Sequence, residues 1–273
     1  MYSLDLFRKL SPNRAVDFMR ITCILILILG ALSGLASAQG ITIAAAADLN
    51  YALKDLASRF EKKTGEKATL SFGSSGNLFS QIRSGAPYDL FFSADIDYPE
   101  KLAAAGLVED DSLRTYAIGR LVLWVPRAAG FDPQKRKMDI LMQPAIQRIA
   151  IANPEHAPYG RAAMAALEHF GLKDKVAGKL VFGENISQAA QFVQSGNAQA
   201  GLIALSLALS PAMKDSGSFW ELPADSYPKL RQGVAILTAS KRKLGAKAFL
   251  DYVTSSEGAA VLEQYGFAPP STQ

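Results

Sequence analysis

One pattern limits what this chain can fold into more than any other. From residue 41 almost to the C-terminus, apolar runs of strand length alternate with segments whose apolar residues recur at helical spacing, and small or polar residues separate the two. Residues 41–45 form the first run, and Leu49, Leu53, Leu56, Ala57 and Phe60 then mark one face of a helix that Gly65 ends. Strands are predicted at 67–72, 90–93 and 121–125, with helical stretches at 78–84, 99–105 and 112–116. After an irregular polar stretch at 130–137 the alternation resumes, with strands at 149–152, 180–182 and 200–203 and helices at 161–170 and 186–195. A last strand at 233–239 precedes helices at 244–253 and 257–265. Strands that alternate with helices in this way make an α/β protein with mostly parallel sheets.

Two sets of units without a long linker read as two lobes, the chain crossing between them near residues 121–125 and 233–237. The last strand and the terminal helices are needed to complete the first sheet. Lobe one is therefore expected at 39–121 plus 236–273, and lobe two at 122–235. The 273 residues, 49% hydrophobic and 20% charged, suffice for two cores and are too apolar for a disordered chain. One cysteine, Cys23, and two histidines, His156 and His169, exclude a zinc cage, an iron–sulfur cluster and a structural disulfide. Lysine plus arginine exceed aspartate plus glutamate by only 29 to 25, and they are scattered, so no nucleic-acid partner is expected.

The N-terminus has its own logic. No charge occurs between Arg20 and Asp48, and the apolar run at 21–32 is shorter than a membrane span needs. Ala36, Ser37 and Ala38 then form an A-x-A site, which predicts a signal peptide over 1–38, a mature start at Gln39 and export to the periplasm. An uncleaved anchor helix is the alternative. Cys23 lacks the small residues that precede a lipid-attachment site. Met19 and Arg20 alone would make a compact start, which leaves the choice between Met1 and Met19 open.

The candidate chemistry lies in four turns that open helices: Ala47-Asp48-Leu49-Asn50, Gly73-Ser74-Ser75-Gly76-Asn77, Pro158-Tyr159-Gly160 and Glu184-Asn185-Ile186-Ser187. A helix N-terminus offers N–H groups without intrahelical partners and a partial positive charge, and so suits an anion. In open α/β sheets such turns stand at the carboxyl ends of the strands, where ligands bind. The plainer alternative makes Asp48, Ser74, Ser75 and Asn185 helix caps. His156 reads as a loop hydrogen-bonding residue and His169 as structural, and Asp89 and Asp95 as turn carboxylates. Neither histidine pairs with a serine in a nucleophilic motif, so binding without chemistry is expected over a two-lobed transferase-like enzyme.

Three blocks resemble the periplasmic molybdate-binding proteins that feed ABC transporters. They are Ser71-Phe72-Gly73-Ser74-Ser75-Gly76; the stretch from Gly85 through Ala86-Pro87-Tyr88-Asp89-Leu90-Phe91-Phe92-Ser93-Ala94 to Asp95; and Asn153-Pro154-Glu155-His156-Ala157-Pro158-Tyr159-Gly160. The likeness runs from residue 41 to Phe267. It implies the two-lobed (type II) periplasmic binding protein fold, a monomer that closes over molybdate or tungstate for a membrane permease, with no cofactor and no direct metal ligand. It also implies that the oxyanion is held by the hydroxyl and amide of Ser75, by Tyr159 and by the backbone N–H of Ile186, with Ser74 and Asn50 as further candidates.

Two positions depart from that family's pattern. Ala204 stands where better known members carry a ligand tyrosine, a hydroxyl that Tyr159 is placed to supply. Asp48 stands where serine or threonine is usual. It either caps its own helix and turns its charge away, or accepts a hydrogen bond from an anion that keeps a proton, such as phosphate or arsenate, or is itself protonated and donates. The cap and molybdate are the expectation.

Overall fold

The structure is a computed structural model that describes residues 40–270, so the expected signal peptide lies outside the described residues. Strand β1 (Ile41–Ala46) leads through a 3-10 turn (Ala47–Leu49) into α1 (Ala52–Thr64). Then follow β2 (Ala68–Gly73), α2 (Ser75–Arg83), β3 (Leu90–Ser93), α3 (Asp97–Ala104), β4 (Arg114–Gly119) and β5 (Leu121–Pro126). A short α4 (Pro133–Arg136) leads to β6 (Ile149–Ala152), α5 (Pro158–His169), α6 (Lys173–Val176), β7 (Leu180–Gly183), α7 (Ile186–Gln194), β8 (Ala200–Ala204), α8 (Leu205–Ala208) and β9 (Gly217–Glu221). The chain ends with β10 (Leu230–Ile236), α9 (Lys243–Val253) and α10 (Ser256–Gln264).

The strands form two five-stranded sheets, in the orders β2-β1-β3-β10-β4 and β7-β6-β8-β5-β9. Both sheets are mixed, which corrects the expectation of mostly parallel pairing. In the first, β1 pairs in parallel with β2 and β3, while β10 runs antiparallel between β3 and β4. In the second, β6 is parallel to β7 and β8, while β5 is antiparallel to β8 and β9. Each sheet therefore has a parallel half that ends in helix-opening turns and an antiparallel half made by strands next to the crossings.

The first crossing falls beside the expected place, whereas the second falls elsewhere. Because β4 belongs to the first sheet and β5 to the second, the chain passes over at Arg120; it returns through 222–229, between β9 and β10. The expected lobe limit at 235/236 cuts through β10, whose residues pair with β3 and β4. Residues 112–116, read as helical, instead lead into β4, and β9 had no counterpart in the sequence reading.

Helix α1 shows how the first lobe is held. Leu53, Leu56, Ala57 and Phe60 are buried at helical spacing, and Gly65 ends the helix at φ 76°, in the left-handed region that favours glycine. Phe60 meets Phe249 of α9 edge to face at 5.1 Å, and Leu250, Val253, Val261 and Leu262 of the terminal helices join the same core. The second core, built on Trp124, Ile149, Ile151, Leu202 and Ile203, continues without a break to Ala46, Ala47 and Ala94 of the first lobe. The lobes therefore pack on each other where the parallel strands of both sheets end.

Candidate functional site

Five strand ends converge there. The turns after β1, β2 and β3 contribute Asp48, Ser74 with Ser75, and Ala94; those after β6 and β7 contribute Pro158 with Tyr159, and Ile186. All line one small cavity between the lobes, and none of its lining residues is a lysine or arginine. Of the residues singled out from the sequence, Asp48, Ser74, Ser75, Tyr159 and Ile186 are brought together here. Asn50, at the end of the 3-10 turn, and Ala204, at the end of β8, lie outside the lining.

Ser75 opens α2 and is fully buried. Its Oγ accepts from the N–H of Ala94 at 2.9 Å, which occupies a lone pair and leaves the hydroxyl proton to donate. Ser74 caps the helix by accepting from the N–H of Asn77 at 3.3 Å, and its Oγ lies 2.9 Å from Nδ1 of His156. The N–H of Gly76 is used on the carbonyl of His156 at 2.9 Å. First-turn amides have no acceptor within their own helix, so with Gly76 and Asn77 engaged, the N–H of Ser75 is the one left for a ligand. At α7, Asn185 caps by accepting from Gln188 N–H at 3.1 Å, and Ile186 supplies the next amide. Ser187 Oγ donates to the carbonyl of Ala47 at 2.8 Å, and Ser206 Oγ donates to that of Asp48 at 2.8 Å. Hydroxyls of the second lobe thus fix the backbone of the β1 turn.

Asp48 does not cap α1. That helix begins after Tyr51 with no side-chain acceptor at its cap. Asp48 Oδ2 instead accepts from Nε2 of Gln232, on β10, at 2.7 Å. Gln232 Oε1 accepts from the hydroxyl of Tyr116, on β4, at 2.7 Å, which fixes the amide with its nitrogen toward Asp48. The same nitrogen makes a longer bond, 3.4 Å, to the Tyr159 hydroxyl. All four side chains are buried, whereas Oδ1 of Asp48 has no hydrogen-bond partner. Burial raises the Asp48 carboxyl to about 6, against the opposing pull of the Gln232 amide and the Tyr159 hydroxyl. Burial first, and the Asp48 charge second, push Tyr116 and Tyr159 well above the usual phenol range, so both keep their protons.

Gln232, Tyr116 and Gly119 escaped the sequence reading. A Cβ on Gly119 would stand 2.4 Å from the Tyr159 hydroxyl and 2.6 Å from Gln232 Nε2, so only glycine lets the network close. The available signal is a glutamine directly before the apolar run of β10, but the run read as the last strand begins at Gly233, three residues after β10 does. His156 does act as a loop hydrogen-bonding residue, although its partner lies in the other lobe. Among the described residues no cluster of three histidine, cysteine, aspartate or glutamate side chains is arranged to hold a metal ion.

Residues 41–268 match the family model described as bacterial extracellular solute-binding protein. The chain belongs to that family. It is 41% identical over 238 residues to the molybdate-binding protein ModA of Azotobacter vinelandii, covering 87% of this chain and 93% of the relative. To ModA of Rhodobacter capsulatus it is 36% identical over 232 residues, covering 85% and 89%. The solved periplasmic molybdate-binding protein of Azotobacter vinelandii superposes with a TM-score of 0.79 at 36% identity, covering 85% of this chain and all of that one. The two mixed sheets are thus the two-lobed fold of ModA-like solute-binding proteins, and the relatives are binding proteins.

Proposed function

We propose that this solute-binding protein captures molybdate, and tungstate with it, in the periplasm as a monomer, after removal of residues 1–38, and passes the anion to the permease of an ABC importer. The observation that carries the reading is the donor set. Ser75 offers a hydroxyl and an amide, Tyr159 and Ile186 each a first-turn amide, and the Tyr159 hydroxyl stands beside Asp48, all at one cavity and from both lobes. Neutral donors and helix N-termini hold a tetrahedral anion without a salt bridge. Tyr159 takes the place of the hydroxyl that Ala204 lacks. No cofactor is required, and no chemistry follows binding.

Asp48 gives one observation in favour of a second reading. An ionised carboxylate lining the cavity accepts a hydrogen bond from an anion that keeps a proton, as phosphate or arsenate does. Against a dianion about 4 Å away, the same charge would cost roughly 8 kcal/mol at an effective dielectric near 20. Calorimetric titration with molybdate, tungstate, sulfate and phosphate at neutral pH separates the readings. Molybdate and tungstate are expected to bind far more tightly than phosphate; tight phosphate binding with no molybdate signal would overturn the first reading and leave the fold assignment standing.

A further inference from the structure

The carboxyl of Asp48 is buried at the cavity with its two oxygens in different states. Oδ2 accepts from Gln232, whose orientation is set in turn by Tyr116, while Oδ1 has no partner. The oxygen without a partner belongs to a side chain that lines the cavity where the anion is proposed to sit. We propose that Asp48 binds the oxyanion as a neutral carboxylic acid, Oδ1–H donating to the anion while Oδ2 accepts from Gln232, so that capture of one anion takes one proton from solvent. The inference rests on the oxyanion reading above and adds a ligand role for Asp48 that makes binding proton-coupled.

The surroundings support it. The ionisable groups that face Asp48 are Tyr116 from β4 and Tyr159 from α5, both held in the neutral form, and neither supplies a positive charge. The helices packed against its turn from the second lobe, α7 and α8, carry no ionisable residue; α1 begins after Tyr51 and places its first charge, Lys54, at the surface. His156, against Ser74, and the Arg161–Asp95 pair, beside an adjoining cavity, are the titratable groups on the remaining sides. Burial already holds the free carboxyl near 6, and a bound anion against it raises it much further, so in the complex the proton stays on Asp48 through neutral and mildly alkaline pH.

The test is calorimetry with molybdate on the whole exported protein, at pH 5 to 8.5, in buffers of differing ionisation enthalpy. Proton uptake is expected to approach one per anion above pH 7 and to vanish near pH 5. The apparent affinity should fall toward tenfold per pH unit at the alkaline end. Asp48→Asn, whose oxygen is claimed by Gln232 and whose amide therefore faces the cavity as a donor, should bind with no proton uptake and a flat pH profile. His156→Gln should keep the proton uptake. Tight molybdate binding to the unsubstituted protein without proton uptake overturns the neutral-acid assignment alone, as does uptake that persists in Asp48→Asn. Loss of binding in a normally folded Asp48→Asn places the proton on the ligand instead and also overturns it. Absence of heat with molybdate, tungstate, sulfate and phosphate alike overturns it together with the oxyanion reading.

Discussion

At the scale of single residues, the site depends on atoms that do two things at once. Ser75 Oγ both accepts from Ala94 and offers its proton to the cavity, so Ser75→Ala should weaken anion binding by roughly 1.5–3 kcal/mol, the value of a hydrogen bond to a charged group. The same change orphans the Ala94 N–H, and a lowered thermal midpoint should accompany the weaker titration. Asp48 gives a pH-dependent prediction for the ligand-free protein. Its folded pKa of about 6 exceeds the ordinary 3.8, so between those values the native state holds more protons than the unfolded chain and stability falls as pH rises. Above about pH 7 the penalty is fully present, of order 3 kcal/mol. Asp48→Asn should therefore melt several degrees higher than the unsubstituted protein at pH 7.5, with the difference closing toward pH 4; a constant difference would show that burial does not raise this carboxyl. The helix starts at Ser75, Tyr159 and Ile186 were legible because a small residue, a proline and an amide cap announce them, whereas the choice of these three residues within the turns rests on the family resemblance. The partner of Asp48 was not, because Gln232 lies 184 residues away and reaches it only through sheet order.

At the scale of elements, legibility followed burial. Strands β3 and β6, buried on both faces, had their limits readable to the residue, since parallel strands covered by helices read as continuous apolar runs. Strands β4 and β9 were lost because each has half-buried and polar positions that dilute the pattern, Arg114 and Thr115 in one and Gly217 and Ser218 in the other. The terminal helices were legible, and their placement gives a prediction. Phe249 touches the rings of both Phe60 and Phe92, joining α9 to α1 and to the sheet. Phe249→Ala should therefore cost about 3–5 kcal/mol in urea unfolding, and a loss below about 1 kcal/mol would show that the terminal helices do not carry this core.

At the scale of the whole molecule, two crossings, Arg120 and the 222–229 segment, join lobes that each supply part of one donor set. The lobes meet through polar bonds, among them Ser74 with His156, Asn77 with Glu184, Asp95 with Arg161, Ser187 with Ala47 and Ser206 with Asp48, and through the apolar seam at Ala46, Ala47 and Ala94. An anion bound by donors of both lobes adds to these contacts and favours the closed form, so small-angle scattering should show a smaller radius of gyration with saturating molybdate than without it. Identical profiles would mean that binding needs no hinge motion. The two-lobed plan was legible from the restart of the alternation after residue 137, and the first crossing beside β5 with it, but the second was not, because β10 declares its sheet only through pairing. The central claim is that one tetrahedral oxyanion sits where both lobes present neutral donors. A crystal structure of the molybdate complex, with anomalous scattering measured at the molybdenum edge, tests it most directly. A single strong peak enclosed by Ser75, Tyr159, Ile186 and Asp48 is expected, and a peak elsewhere, or none from a saturated protein, would contradict the account.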